Sequence, residues 1–289
     1  MFIGTLVKRI IAAVAIMSIV ALVICTVYQN NIVETECFTS YSDRLPKEFD
    51  GFKIAHISDL HCEEMGEENY KIIDILKEQT PDIIVITGDI IDINAHDREV
   101  MLDLVKEALK IAQCYYVTGN REGGIPFYGE IKTELAALGV AVLSNYAVDI
   151  EYNGAVISIA GIDDPMYTIE QEVFDYSVTN EEIVKKNLSK IEFTDRYTIL
   201  LSHRPDYLSE FEALGVDLVL SGHYHGGYFR LPFIGGVVGR DDGAFPKYSG
   251  GQYKEGNTDM IVSCGIATSD FWFRFNNPPE VGIIELRVK

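Results

Sequence analysis

The sequence predicts an α/β protein, a sheet covered by helices on both faces, on the strength of three observations. Short apolar runs alternate along the chain with segments of helical spacing. The runs are nearly continuous, as strands buried on both faces are, and do not alternate polar with apolar. The chain has 289 residues, 47% of them hydrophobic, which is enough for one large core.

Taken in order, Ile10 to Tyr28 gives nineteen residues without a charge, close at 1.5 Å per residue to the roughly 30 Å of a hydrocarbon core. It predicts a membrane span. A cleaved signal peptide, the rival reading, would have a shorter apolar region ending in small residues. A lipoprotein signal would put small residues before Cys25, where Val23 and Ile24 stand. Lys8 and Arg9 precede the span and no basic residue follows before Arg44, so the expected protein is single-pass in the cell membrane, with its body outside the cytoplasm.

After a first strand over 33–41, strand Phe52–Ser58 runs into Asp59-Leu60-His61, and helical spacing follows over 69–79. Strand Ile83–Ile86 ends at Gly88-Asp89-Ile90-Ile91-Asp92, helical spacing returns at Leu102, Val105 and Leu109, and strand Tyr115–Val117 ends at Gly119-Asn120. A helix over 131–138, strands at 141–143, 147–152 and 156–160 joined at the Asn153-Gly154 turn, and a charged helix over 181–189 come next. Strand Tyr197–Leu201 ends at Ser202-His203, a short helix reaches Leu214, and Val216–Leu220 leads into Ser221-Gly222-His223-Tyr224-His225-Gly226-Gly227. Strands at 260–264 and 281–286 close the chain. The expected divisions are 1–28 as cytoplasmic N-terminus and transmembrane anchor, 29–50 as strand and connector, and 51–289 as the main domain.

Lys and Arg total 24 against 44 Asp and Glu, a formal charge of −20, so no field exists to gather nucleic acid, and none is expected as a partner. An anionic substrate then needs a local cationic device. The five cysteines form no Cys-x-x-Cys pair and give no zinc spacing.

The strand ends carry Asp59 and His61, Asp89 and Asp92, Asn120, His203, and His223 and His225, with the last two expected to project to one side of a strand. In open α/β sheets ligands bind outside the carboxyl ends of the strands. Carboxylate, imidazole and amide oxygen together suit borderline divalent ions such as Mn, Fe or Zn. The seven of these groups other than Asp92 suit two ions about 3.5–4 Å apart sharing a carboxylate.

Asp59-x-His61, Gly88-Asp89-x-x-Asp92, Gly119-Asn120-Arg121-Glu122, His203 and Gly222-His223-x-His225 resemble, in order and spacing, the signature of the calcineurin-like metallophosphoesterases. The resemblance covers about residues 52–227 and implies an α/β/β/α sandwich behind the membrane helix. It implies one ion on Asp59, His61, Asp89 and His225 and a second on Asp89, Asn120, His203 and His223, with Asp89 as bridge. The stretch 226–233 and Pro278-Pro279-Glu280 are similar to the membrane-anchored bacterial branch. The implied chemistry is hydrolysis of a phosphodiester or pyrophosphate by hydroxide held between two ions. A phosphomonoesterase on nucleotides or phosphosugars, and a metal-containing binding module without turnover, are the alternatives.

Arg121 stands where most members resemble Gly-Asn-His, whose histidine protonates the leaving oxygen and is oriented by the residue matching Asp92. Guanidinium keeps its proton but binds phosphate oxygens through two parallel hydrogen bonds. An arginine here also resembles the branch that cleaves the pyrophosphate of a UDP-linked lipid A precursor, so the expected substrates are phosphorylated small molecules or lipid-linked phosphates. The alternative for Arg121 is a salt bridge to Asp92 or Glu122. His56 reads as a core histidine, and Ser58 as structural because no base is spaced to activate it. Asp163-Asp164-Pro165 reads as a turn, with part of the site rim as the alternative. Arg204 and Arg230 are better placed than Arg240 or Arg274 to meet a phosphate. Tyr228, Phe229, Leu231, Phe233, Phe271, Trp272, Phe273 and Phe275 read as core or lid, or else as an apolar rim facing the bilayer.

Overall fold

The computed structural model describes residues 2–92, 98–170, 177–227, 229–238, 243–268 and 273–289. Tyr228, Arg240, Phe271 and Trp272 lie outside the described residues. Helix α1 (Phe2–Asn30) leads the chain. Within it Leu6–Asn30, 25 residues of mean hydropathy 3.0 with none of the apolar window buried, is long and apolar enough to cross a membrane.

The body follows as β1 (Glu34–Ser42), β2 (Lys53–Ile57), α2 (Tyr70–Gln79), β3 (Ile83–Ile86), α3 (Arg98–Leu109), β4 (Gln113–Tyr116), α4 (Asn120–Gly123), α5 (Tyr128–Leu138) and β5 (Ala141–Val142). Next come β6 (Tyr146–Tyr152), β7 (Ala155–Gly161), α6 (Pro165–Thr168), α7 (Asn180–Leu188), β8 (Thr198–Leu201), α8 (Leu208–Ala213) and β9 (Leu218–Ser221). The chain closes with β10 (Arg230–Leu231), β11 (Gly235–Gly236), β12 (Gly251–Glu255), β13 (Thr258–Val262) and β14 (Glu280–Val288).

Two six-stranded sheets, in the orders β1-β14-β2-β3-β4-β5 and β12-β13-β9-β8-β7-β6, hold the site-bearing strands at their centres. β2, β3 and β4 run parallel to one another, as do β7, β8 and β9. Their carboxyl ends therefore emerge together from each sheet. β6 and β7 turn back on each other at Asn153 and Gly154, which have φ of 50° and 84°, the positive values a tight hairpin turn of this kind requires.

The near-continuous apolar runs are explained by two faces that are both dry. Along β3, Ile84 and Ile86 pack with Ile72 and Leu76 of α2 and Val105 of α3, whereas Ile83 and Val85 face Ile199, Leu201 and Leu220 of the other sheet. Leu200 and Val219, on the far side of the second sheet, meet Val184 and Leu188 of α7 and Phe211 of α8. The architecture is thus helices, sheet, sheet, helices. Strand β12, which carries little apolar residue content, is not signalled by hydrophobic pattern. β1 is held by parallel pairing along its whole length with β14, from Glu34 opposite Glu280 to Ser42 opposite Val288.

Ile199 is fully buried between the sheets. Ile199→Ala is expected to cost about 2–5 kcal/mol, read as a lowered urea midpoint of the full chain. A loss below about 1 kcal/mol would mean that the inter-sheet layer is not the stabilising core.

Candidate metal centre

Each central strand stops just before its chemistry. β2 ends at Ile57 and β3 at Ile86, and the chain then turns through Asp59 (φ 54°), His61 (47°) and Asp89 (49°). β9 ends at Ser221, and His223 and His225 follow with φ of 77° and 49°. The two histidines therefore do not project side by side from a strand, as the sequence pattern suggested. Left-handed backbone is costly for residues with a Cβ and persists where the surroundings enforce it. Here it turns His223 toward Asn120 and His203, and His225 toward Asp59 and His61.

The motif glycines permit this crowding. A Cβ on Gly119 would lie 2.3 Å from Asp89 Oδ1, and one on Gly222 would lie 1.9 Å from Ser58 Oγ. Neither position has room for a side chain.

Asp59 and Asp89 are fully buried. Asp59 Oδ2 accepts from Ser58 Oγ at 2.7 Å and from the His223 N–H at 3.0 Å, while Oδ1 faces His225 Nε2 at 3.3 Å and His61 Nε2 at 3.9 Å. Asp89 Oδ1 accepts from the Arg121 N–H at 2.7 Å, and Oδ2 lies 3.5 Å from His203 Nε2 and 3.7 Å from His61 Nε2. Asp89 Oδ2 is thus between imidazoles of the two halves of the site. Asp59, His61 and His225 form one group able to hold an ion, and Asp59, Asp89 and His203 form another.

Within this centre Asp59 Oδ1, Asp89 Oδ2 and both ring nitrogens of His61 are buried and make no hydrogen bond among the described residues. Buried polar atoms left unsatisfied are costly. The donor set and its unsatisfied atoms fit divalent cations.

Protonation follows from the partners. His203 Nδ1 donates to the Thr87 carbonyl at 2.7 Å, and His225 Nδ1 to the Ala267 carbonyl at 3.1 Å, so each turns Nε2 inward. Burial opposes charge on His203, but the adjacent Asp89 carboxylate overrides it and lifts the group to about 10. Burial works against ionised Asp89, yet His203 and then His61 hold its carboxyl well below the usual range. Burial, then the charges of His61 and Arg274, push His225 well below its usual value. His223 Nε2 lies 3.1 Å from Arg204 Nη1, which can only donate. Its inward Nδ1 faces Asn120 Oδ1 at 3.0 Å and His203 Nε2 at 3.3 Å.

Several residues outside the ligand motifs shape the centre. His56 Nε2 meets Thr87 Oγ1 at 2.8 Å, Thr87 Oγ1 donates to Ser58 Oγ at 2.9 Å, and Ser58 Oγ donates to Asp59. Burial lowers His56 to about 3, so it is a neutral donor at the head of a relay that fixes Asp59. Glu122 is buried with both oxygens filled by the N–H groups of Asp89, Ile90 and Gly119 and by Tyr116 Oη. Burial and then Asp89 push it up to about 8, yet all four partners donate, which suits the ionised form. Asp92 Oδ2 lies 3.8 Å from His61 Nδ1, beside a proposed ligand. The guanidinium of Arg121 is close enough to His61 to oppose its protonation.

Two arginines lie deeper than sequence suggested. Arg204 Nε donates to Asp164 Oδ2 at 2.9 Å behind His223. Arg274, which the sequence ranked low, is fully buried behind His225 and donates to the Cys264 and Ala267 carbonyls. Nothing in the local sequence marks it, since its partners come from residues 225, 264 and 267.

Comparison with known proteins agrees with this geometry. Residues 52–227 match the model of the calcineurin-like phosphoesterase domain. The uncharacterized metallophosphoesterase YkuE of Bacillus subtilis is 33% identical over 265 residues, covering 89% of this chain and 86% of its own. An uncharacterized metallophosphoesterase of Aquifex aeolicus is 32% identical over 267 residues, covering 89% and 93%. The crystal structure of TT1561 of Thermus thermophilus, at 14% identity and TM-score 0.50, covers 75% of this chain and 90% of its own and shares the fold.

A ligand nitrogen must give up its proton to a metal. Because His203 is held charged by Asp89, Mn or Zn binding at pH 7 is expected to release about one proton per chain or more. Calorimetry in buffers of different ionisation enthalpy reads this directly. Binding heats independent of buffer would show that His203 is not displaced from its ion pair.

Proposed function

The chain belongs to the calcineurin-like phosphoesterase family and is a metal-dependent phosphoesterase; from that premise we propose a membrane-anchored enzyme that cleaves phosphodiester or pyrophosphate bonds with two divalent ions. The proposed ligands are Asp59, His61, Asp89 and His225 for one ion and Asp89, Asn120, His203 and His223 for the other, Mn, Fe or Zn being the candidates. The single observation that carries the two-ion reading is Asp89 Oδ2, buried between His61 and His203 of the two halves. Such ions, when bound, supply an activated water and neutralise charge on phosphate oxygens.

The chain's own residues do the rest. The Ser58, Thr87 and His56 relay and the His223 N–H hold Asp59 in one orientation. The Arg121 N–H holds Asp89, and the arginine's charge adds to burial in lowering His61. A phosphate leaving from a pyrophosphate is weakly basic and needs charge stabilisation more than a proton. A guanidinium meets that need, whereas an alkoxide would require an acid. Asp92 is proposed to position the centre through His61. The substrate class is then a phosphorylated small molecule or a lipid-linked phosphate.

Arg121→Ala is expected to lower kcat on a pyrophosphate by about 10²–10³-fold and on an aryl phosphodiester by less, with Arg121→His shifting preference toward alkyl esters. Equal losses on all three substrates would return Arg121 to a structural role and leave the bond class open.

The proposed divisions are 1–28 as cytoplasmic N-terminus and anchor, 29–50 as the strand and connector that join it to the sheet, and 51–289 as the catalytic domain. Lys8 and Arg9 on the amino side of the span orient the domain outside the cytoplasm. An impermeant protease is expected to digest the domain on intact, wall-permeable cells. Protection of the domain while a known external protein is cut would reverse the orientation.

A further inference from the structure

The β10–β11 hairpin tip, Leu231-Pro232-Phe233-Ile234, is apolar and faces outward. Phe233 is 108% exposed relative to a free residue and sits at φ 66°, and Ile234 is 60% exposed. A phenylalanine in left-handed backbone at a fully exposed tip incurs both strain and hydration cost. Such a patch marks a contact surface.

The position of the tip relative to α1 indicates what covers it. Leu22, Cys25, Thr26 and Gln29, spaced along one helical face, line a cleft with Pro232, Phe275 and Asn276. The hairpin thus lies beside the last two turns of the helix, between its polar end at Gln29 and Asn30 and a level about 10 Å further in. A helix of 25 residues is about 37 Å long and exceeds the roughly 30 Å apolar core by only a few ångströms at each end. The tip therefore falls at the depth where headgroups meet acyl chains.

The hairpin is held there firmly. The Arg230 N–H donates to the Phe275 carbonyl at 3.0 Å, and Phe229 packs edge-on against Phe273 at 5.6 Å. Asn30, the last residue of α1, accepts from the Arg274 N–H and donates to the Arg274 carbonyl, both at 2.7 Å. Asn277 Nδ2 donates to the His225 carbonyl at 2.7 Å. Helix end, hairpin root and metal ligand are joined within a few residues.

We propose that the Leu231–Ile234 tip inserts into the lipid interface beside α1 and holds the metal-bearing strand ends at the bilayer surface. This rests on the membrane-anchored reading above. With a net charge of −20, the contact is driven by apolar burial and not by attraction to anionic lipid.

The test uses the full chain in phosphatidylcholine vesicles carrying acyl-chain bromines, with the sole tryptophan replaced by Trp272→Phe. Phe233→Trp and, as a second reporter, Ile234→Trp are compared with Ile19→Trp in the span. Leu214→Trp serves as the distant control, next to Gly215, whose carbonyl accepts from Arg44 beyond the far end of β1. The expected result is that bromolipid quenches Phe233→Trp and Ile234→Trp at least about twofold over Leu214→Trp, unchanged by 0.5 M salt (roughly half the Debye length of physiological buffer) or by added phosphatidylserine. Quenching of Ile19→Trp without quenching of either tip reporter would overturn the inserted tip and leave the anchor standing. Loss of quenching at Ile19→Trp would overturn the anchored reading itself. A blue-shifted but unquenched tip emission with a dimer in solution would assign the tip to a second copy of the chain and overturn the bilayer contact.

Discussion

The strands and turns of this molecule keep two fully buried carboxylates, Asp59 and Asp89, together in one place. Isolated buried charge of that kind is strongly unfavourable, and it is tolerated only with dense hydrogen bonding and nearby positive charge. The backbone supplies the first part. Asp59 and Asp89 each accept a main-chain N–H, and Glu122 gathers three more around the turns that carry them. Imidazoles supply the second part, with the proton on His203 standing in for the cation that the site is shaped to take. The sandwich of two sheets then acts as the rigid support, because both strand bundles end at the same edge.

Behind the proposed ligands lie residues that fix tautomers and orientations. Thr87 serves two site residues at once, through its carbonyl to His203 and through its hydroxyl to the Asp59 relay. Arg204 and Arg274 stand behind His223 and His225 respectively. At His225, burial, then His61 and the charge of Arg274, hold the imidazole well below its usual value, in the neutral form a cation needs. In a chain of strongly negative net charge, these cations are local and deliberate in position.

Much of this was legible in sequence because the strands are buried on both faces. A continuous apolar run such as Ile83–Ile86 ending abruptly in Gly88-Asp89 announces a strand end, and five such ends together announce a site. The Asn153-Gly154 hairpin was readable from its two residues alone. Less readable were features that depend on the fold closing. Strand periodicity predicts that His223 and His225 lie side by side, yet the strand stops at Ser221 and left-handed backbone sends them to different halves. Arg274 looks like any loop arginine until its guanidinium is seen against carbonyls from residues 264 and 267. Glu122 looks like a surface partner for Arg121, but its oxygens turn inward to the main chain.

The pairing of β1 with β14 sets a schedule on the birth of the protein. β1 directly follows the apolar helix, yet its parallel neighbour, Glu280–Val288, is synthesised long after it. At roughly 5–20 residues per second of synthesis, about ten seconds to a minute pass in which β1 has no neighbour on that side. An unpaired strand is a template for wrong pairing. Its exposed residues include Glu34 and Glu36, charges of the kind that discourage pairing at an open edge until Glu280–Val288 arrives to close the sheet.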